Sequence, residues 1–210
     1  MNMERIFVMI EDIEDLFTMN WLDVSIIQVF IRYLYQLCKK SKVSSIGFMC
    51  PTQISKANVD MNLEAVIAYL RNTISELQDK TFILAPYHQV NHWLLLVICT
   101  SSRMVYVLDP MQCDRDLEIK SVLNMVFRTF TNQRGARARC RVDWKNIKCP
   151  CQPGNSECGY YVMRYMYDIC TKYFASTLLD EAFQETKTYS DKEIDEIRNK
   201  WAQYFLNECV

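Results

Sequence analysis

The hydrophobic pattern of this chain changes its period near residue 82. Before that point, apolar residues recur every three or four positions across residues 22–38 and again across residues 62–77, which is typical of amphipathic helices. After it come three short runs rich in β-branched and aromatic residues, 82–85, 92–100 and 104–108, which predict strands. A chain that contains both must pack its helices against a sheet.

The rest of the sequence extends this pattern. Helical spacing returns over residues 117–130, 158–174 and 191–206, and the middle segment is apolar nearly all round, which predicts a central helix. Between residues 136 and 144, charged and uncharged positions alternate, as in a strand with one solvent-exposed face. The order of elements predicts an α+β domain with a sheet packed between helices.

The overall composition predicts one compact, monomeric intracellular domain over residues 1–210. Half of the 210 residues are apolar, and the 24 basic and 25 acidic residues nearly cancel, which gives no reason to expect a nucleic acid or a membrane surface as partner. The longest apolar run, Leu94 to Cys99, is too short to span a membrane. Ten cysteines spread through core-like segments of a chain this size predict reduced thiols.

One of these cysteines, Cys158, lies where a turn-rich loop runs into the predicted central helix. The unpaired N–H groups and the positive dipole end at a helix start stabilise a thiolate, which is the nucleophilic form of cysteine. The same N–H groups can bind an oxyanion, and Gln152, six residues earlier, carries an amide donor able to join them. Cys158 is therefore the candidate nucleophile, and Gln152 is the candidate side-chain donor to the oxyanion.

A base and its carboxylate partner follow from a predicted hairpin. His92 begins one apolar strand, Asp109 ends the next, and a turn near residues 101–102 would place the two side by side. We expect His88, the other histidine, to lie in the preceding loop. An aspartate on the imidazole fixes its tautomer and stabilises the imidazolium, which completes a Cys-His-Asp triad.

Together, these residues resemble the ubiquitin-like-protein (SUMO-type) cysteine proteases, relatives of the adenoviral proteinase, and especially their plant transposon-derived members. The similarity covers nearly the whole chain. It rests on the order and spacing of five short motifs: Trp21-Leu22, His92-Trp93, Asp109-Pro110, Gln152 and Cys158-Gly159.

The resemblance implies a papain-like, adenoviral-proteinase-like fold with a central mixed sheet, and it implies no metal or cofactor. It makes His92 the base, Asp109 its partner, Cys158 the nucleophile and Gln152 the oxyanion donor. Three further residues would bind the substrate: Trp93 would roof a narrow channel for a Gly-Gly tail, with Trp21 and Gly159 beside it. The implied reaction is cleavage after the C-terminal Gly-Gly of a ubiquitin-like modifier, most of all a SUMO-like one, in its precursor or its conjugates.

Two departures from the family pattern bear on the substrate. Val24 stands where SUMO proteases carry an acidic contact, and Glu157 replaces the usual aspartate before the nucleophile. Two other functions remain open: an acetyltransferase of related fold that uses coenzyme A, and an inactive, transposon-derived binding module. The His-Trp and Gln-Pro-Gly motifs favour the protease over the first, and the intact triad favours it over the second.

Two clusters near the candidate site have simpler explanations. Cys149, Cys151 and Cys158 could suggest zinc, but they contain no Cys-x-x-Cys pair and no nearby histidine, so we expect no metal there. The basic residues between 134 and 148 follow the strand alternation and are expected to form a solvated face.

Overall fold

The structure is a computed structural model that describes residues 5–132, 142–176 and 178–209. About half of the described residues are helical, and five strands lie between the helices. In chain order the elements are α1 Ile10–Thr18, α2 Val24–Lys40, β1 Ile46–Phe48, α3 Pro51–Ile54, α4 Lys56–Met61, α5 Leu63–Glu76, β2 Phe82–Gln89, β3 His92–Cys99, β4 Met104–Leu108, α6 Ile119–Asn132, β5 Asp143–Asn146, α7 Cys158–Thr171, α8 Leu179–Ala182 and α9 Asp191–Glu208.

The five strands form one mixed sheet in the order β1-β2-β3-β4-β5. The three central strands pair antiparallel, whereas β1 and β5 join the edges in parallel. Because side chains alternate across a strand, the sheet has two apolar faces, each with its own buried cluster. Helices α2, α7 and α9 cover one face, and α5 and α6 cover the other. The predicted α+β fold, with a central mixed sheet between helices, is confirmed.

Helix α7 is buried over most of its length, as its apolar sequence predicts. It packs against β3 on one side and between α2 and α9 on the other. Tyr160, Tyr161 and Tyr165 are almost completely buried in this layer. The helix therefore holds its first residue, Cys158, in a fixed position against the start of β3.

Several predicted boundaries differ from the observed ones. Helix α2 begins after Asp23, which caps it by accepting a hydrogen bond from the Ser25 N–H at 2.8 Å. Strand β2 continues to Gln89, so the prediction that His88 lies in a loop is wrong. Most of the predicted strand at 136–144 lies outside the described residues, and β5 overlaps only its end. Elements α1, β1, α3, α4 and α8 were not predicted.

Among the described residues, no helix is long and apolar enough to cross a membrane.

Gly159, the second residue of α7, lies against Leu22. A Cβ built on Gly159 would meet three atoms of the Leu22 side chain at 3.0–3.1 Å. We expect Gly159→Ala to destabilise the protein by about 1 kcal/mol, because crowding of ~1–3 kcal/mol outweighs the ~1 kcal/mol helix preference for alanine. Urea unfolding followed by circular dichroism measures this change.

Gly154→Ala is the matched control for this substitution. A Cβ on Gly154 would meet mainly the carboxylate end of Glu157, which is flexible and can move away. We expect its free energy of unfolding to stay within about 0.5 kcal/mol of the wild-type value. Equal effects of the two substitutions would contradict a specific contact between Gly159 and Leu22.

Candidate active site

The β3–β4 hairpin brings His92 and Asp109 together. The register pairs Leu95 with Leu108, so the start of β3 lies beside the residue that follows β4. The His92 Nε2 and the Asp109 Oδ1 are 2.7 Å apart, and both side chains are buried. The hairpin predicted from the sequence is thus present and joins an imidazole to a carboxylate.

The Asp109 carboxylate has two further partners. The Met111 N–H donates to Oδ1 at 2.8 Å, and the Arg115 Nε donates to Oδ2 at 3.1 Å. Burial raises the pKa of Asp109, but the bonds from His92 and the Met111 N–H, with the charge of Arg115, bring the net pKa below its ordinary value. The carboxylate is therefore ionised and held in one orientation.

Cys158 is the first residue of α7, as predicted, and its side chain is buried. The first N–H groups of a helix have no acceptor within it, so those of α7 can bind a negative charge near Cys158. The Trp93 main-chain N–H also points at the sulfur, with a distance of 3.4 Å from nitrogen to Sγ. This donor was missed in the sequence, because a main-chain group leaves no motif.

The His92 ring bonds to Asp109 and lies near enough to Cys158 for the two side chains to interact. Because Nε2 is occupied by the carboxylate, Nδ1 is the ring nitrogen that remains for the thiol. Burial lowers the pKa of His92, but the hydrogen bonds to Asp109 and Cys158 and the charges of both groups raise it further, to about 9. The ring is therefore an imidazolium at neutral pH, next to the sulfur.

Gln152 lies on the loop that leads to α7. Its N–H donates to the Pro110 carbonyl at 2.9 Å, which fixes the loop beside the residue after Asp109. Its side-chain nitrogen donates to the Gly154 carbonyl at 2.8 Å. An amide nitrogen carries two hydrogens, so one remains for another acceptor. The side-chain oxygen, Oε1, is buried and has no hydrogen-bond partner among the described residues.

The three predicted substrate-binding residues meet around Leu22. The Trp93 indole donates to the Leu22 carbonyl at 3.0 Å, and Gly159 packs against the Leu22 side chain. Trp93 is only 3% exposed, whereas Trp21, next to Leu22 in the chain, is 49% exposed. Trp21 therefore offers an aromatic surface to solvent, and the Trp93 indole is buried and bonded to the Leu22 carbonyl.

The other histidine has a different environment. His88 lies opposite Trp93 in the β2–β3 pair, and the two ring centroids are 4.6 Å apart. Burial and the charge of His92 lower the pKa of His88, although Asp23 opposes this shift. His88 is therefore neutral at pH 7 and lies against the indole.

The groups at this site could support acyl transfer through a thiol. The site combines a thiol, an imidazolium, an ionised carboxylate and several hydrogen-bond donors. Within the residues that the structure describes, no group of three or more His, Cys, Asp or Glu side chains is placed to hold a metal ion.

Comparison with known proteins identifies a family. Residues 20–210 match the family model described as the Ulp1 protease family, C-terminal catalytic domain. No curated protein sequence matches the chain. The family match thus spans all of the residues placed in the candidate site.

Solved structures share the fold. A de-sumoylating protease is 15% identical, with a TM-score of 0.70 and coverage of 95% of this chain and 87% of its own. The C-terminal Ulp1 protease domain in complex with Smt3, the yeast ortholog of SUMO, is 16% identical, with a TM-score of 0.63 and coverage of 98% and 85%. The Xanthomonas campestris effector XopD bound to ubiquitin is 16% identical, with a TM-score of 0.62 and coverage of 88% and 91%.

Proposed function

The chain belongs to the Ulp1 protease family of cysteine peptidases, and from this we propose that it cleaves the bond after the C-terminal Gly-Gly of a ubiquitin-like modifier. The observation that carries the proposal is the buried arrangement of Asp109, His92 and Cys158, with 2.7 Å between the carboxylate and the imidazole. We assign Cys158 as nucleophile, His92 as base and acid, and Asp109 as the group that orients the imidazole.

The proposed reaction has two steps. In the first, the Cys158 thiolate attacks the carbonyl carbon of the terminal glycine, and the oxyanion accepts hydrogen bonds from the first N–H groups of α7 and from the Gln152 amide. The His92 imidazolium donates its proton to the leaving amine, which leaves a thioester on Cys158. In the second, neutral His92 takes a proton from water, the hydroxide attacks the thioester, and the acid product leaves the regenerated thiolate.

The contacts around Leu22 support a substrate with a glycine tail. Trp93 is locked to the Leu22 carbonyl, and Gly159 presents no side chain at the start of α7. We propose that the tail passes between these residues, with Trp21 against its outer side. A glycine tail needs the least space in such a passage, because glycine has no Cβ.

The modifier is proposed to be SUMO-like or ubiquitin-like. Two of the solved structures with this fold hold such proteins, the yeast SUMO ortholog in one and ubiquitin in the other. Val24 offers no acidic contact, which leaves room for a modifier other than SUMO. We further propose a single catalytic domain over residues 1–210, acting as a monomer in the nucleus or the cytoplasm on precursors or conjugates.

Covalent capture tests the proposal. Modifiers of the SUMO, ubiquitin and related types, each with a thiol-reactive group at the C-terminus, are incubated with the protein, and adducts are detected by their mass. We expect at least one modifier to form an adduct that is absent in Cys158→Ala. Cys151→Ala, which alters another partly buried thiol of the same loop, serves as control and should keep the adduct. Persistence of the adduct in Cys158→Ala would refute the nucleophile, and a failure of every modifier would refute the substrate class.

Arg115 is expected to act as a positioning residue for Asp109. It is about a third exposed, so solvent weakens its 3.1 Å bond to the carboxylate. We expect Arg115→Met to lower kcat/KM about three- to tenfold, because the carboxylate then has one fewer bond to fix it. Loss of the cation should also raise the pKa of His92 and move the alkaline limb of the pH profile upward.

Arg128→Met is the control for Arg115→Met. It removes the same charge from an exposed position on α6, where the structure gives the side chain no contact with the candidate site. Its kcat/KM and pH profile should match those of the wild type. Equal losses in the two variants would contradict a specific role for Arg115.

A further inference from the structure

A groove of about 1050 Å³ lies between α2 and α5, away from the candidate active site. Its inner wall is apolar and contains buried residues from α2 and β1, among them Ile31, Cys38, Ile46 and Phe48. The groove extends along α2 as far as Lys39, whereas Leu22 of the candidate site precedes the other end of that helix. The near end of the groove, at Gln28, is about one turn into α2, and none of the candidate-site residues lines the groove.

The edge of the sheet lies inside this groove. Strand β1 is the first in the sheet order, and it pairs only with β2 among the described residues. In a parallel pair, every second residue of a strand bonds to the neighbouring strand. Here Ser45 and Met49 bond to β2, so the residues two apart from them belong to the bonded set. The N–H and C=O groups of Ile46 and Phe48 therefore point the other way, and no hydrogen bond to them is found among the described residues.

Unpaired main-chain groups on a sheet edge are a template for a further strand. The edge of β1 lies between α2 and α5, so a strand added there would pack one of its faces on the groove wall. One row of its side chains would lie on the apolar wall of the groove. The groove thus provides both parts of strand recognition: a ladder of main-chain bonds and a surface for alternate side chains.

The rim of the groove is mainly basic. Five cationic side chains and two acidic ones lie along it, an excess of three positive charges, and the pair of Asp79 with Lys80 at 2.9 Å takes one charge of each sign. An occupant with acidic side chains would complement this charge. The cations are Arg5, Arg32, Lys39, Lys42 and Lys80.

We propose that this groove binds an extended acidic segment of a partner protein, which joins the sheet as a strand beside β1. Apolar residues at alternate positions of the segment pack on the groove wall, and the acidic residues between them face the basic rim. A polypeptide fits these features better than a nucleic acid, because only a polypeptide supplies the amide ladder that the free edge of β1 requires. The groove would give the enzyme a contact with proteins that does not involve the glycine tail.

A synthetic peptide tests the proposal directly. A fluorescein-labelled peptide of alternating glutamate and valine, about ten residues long, is titrated with the full chain and followed by fluorescence anisotropy. We expect saturable binding with a Kd on the order of 10–100 µM that weakens as salt is added. The double variant Lys39→Glu, Lys42→Glu should bind at least about tenfold more weakly. The control Lys187→Glu, Lys192→Glu makes the same charge change at exposed positions outside the groove and should bind normally.

Three related probes separate strand addition from simple attraction between charges. A peptide with lysines in place of glutamates and a peptide N-methylated at alternate amides should both fail to bind, and a ten-nucleotide oligo-dT should not displace the acidic peptide. Binding by either altered peptide, displacement by oligo-dT, or equal affinity in the Lys39, Lys42 variant would overturn the proposal. So would the absence of saturable binding up to about 1 mM. Far-ultraviolet circular dichroism spectra of the variants, measured in parallel, show whether they are folded and keep this result independent of the active-site assignment.

Discussion

His92→Ala is expected to lower kcat/KM for modifier cleavage by on the order of 10⁴-fold or more, to the limit of detection. The imidazole bonds to the Asp109 carboxylate and interacts with the Cys158 thiol. Without it, the thiol loses its proton acceptor and the leaving amine loses its proton donor. Single-turnover cleavage of a modifier fusion, followed by gel electrophoresis, measures the loss.

His88→Ala is the matched control for this substitution. His88 is a partly buried histidine on the neighbouring strand, but its ring lies against Trp93, 4.6 Å between centroids, and not against Cys158. We expect His88→Ala to retain activity within about tenfold of the wild type, because only the packing of the indole changes. Loss of activity in His88→Ala with retention in His92→Ala would refute the choice of base.

Folding of the His92→Ala variant is expected to survive. The Asp109 carboxylate keeps its bonds from the Met111 N–H and Arg115, so the substitution does not leave a buried charge without a partner. A far-ultraviolet circular dichroism spectrum like that of the wild type would show that the loss of turnover is chemical. If the variant were unfolded, His88→Ala and the pH dependence of activity in the wild type and in Asp109→Asn would still test the choice of base.

Asp109→Asn is expected to have the second largest effect, a fall in kcat/KM of about 10²- to 10⁴-fold. The asparagine can still bond to His92, but it carries no charge to stabilise the imidazolium. It can also turn its NH2 group, a donor, toward Nε2 in place of an acceptor oxygen. Because the pKa of His92 is about 9 with Asp109 in place, we expect wild-type activity to decline above about pH 9 as the imidazolium loses its proton.

The pH profile of Asp109→Asn gives a second, independent measure of the same contact. Removing the carboxylate charge removes a cause that raises the pKa of His92, so the alkaline limb of the residual activity should move to lower pH. Arg115→Met should move it in the opposite direction. A limb that stays near pH 9 in Asp109→Asn would contradict the assignment of that limb to His92.

The candidate site was largely predictable because its parts depend on local patterns. A turn-rich loop followed by an apolar segment predicted a helix that begins at Cys158, and the structure begins it there. Two apolar runs with a short polar turn predicted the hairpin that joins His92 to Asp109. Motifs within one hairpin or at one helix end need no knowledge of the rest of the fold.

Features that depend on distant neighbours were not predictable. The strand predicted at residues 82–85 stops just before Pro86, and proline cannot donate to a ladder. In the structure β1 ends opposite Leu84, so β2 has an uncovered side beyond that point, where a proline is tolerated and the strand runs on through His88. Arg115 likewise shows its role only when the loop after β4 brings it to Asp109. The three residues of β1 are too few to show a period.

The β3–β4 hairpin has a practical consequence for engineering this enzyme. His92 and Asp109 lie at its open end, and the turn between the strands carries the exposed residues Ser101 and Ser102 at the other. Eight strand residues separate the two ends, a span of about 26 Å. A reporter sequence inserted between Ser101 and Ser102 should therefore leave turnover intact, which makes this turn a suitable place to attach a fluorophore or a tether to the working protease.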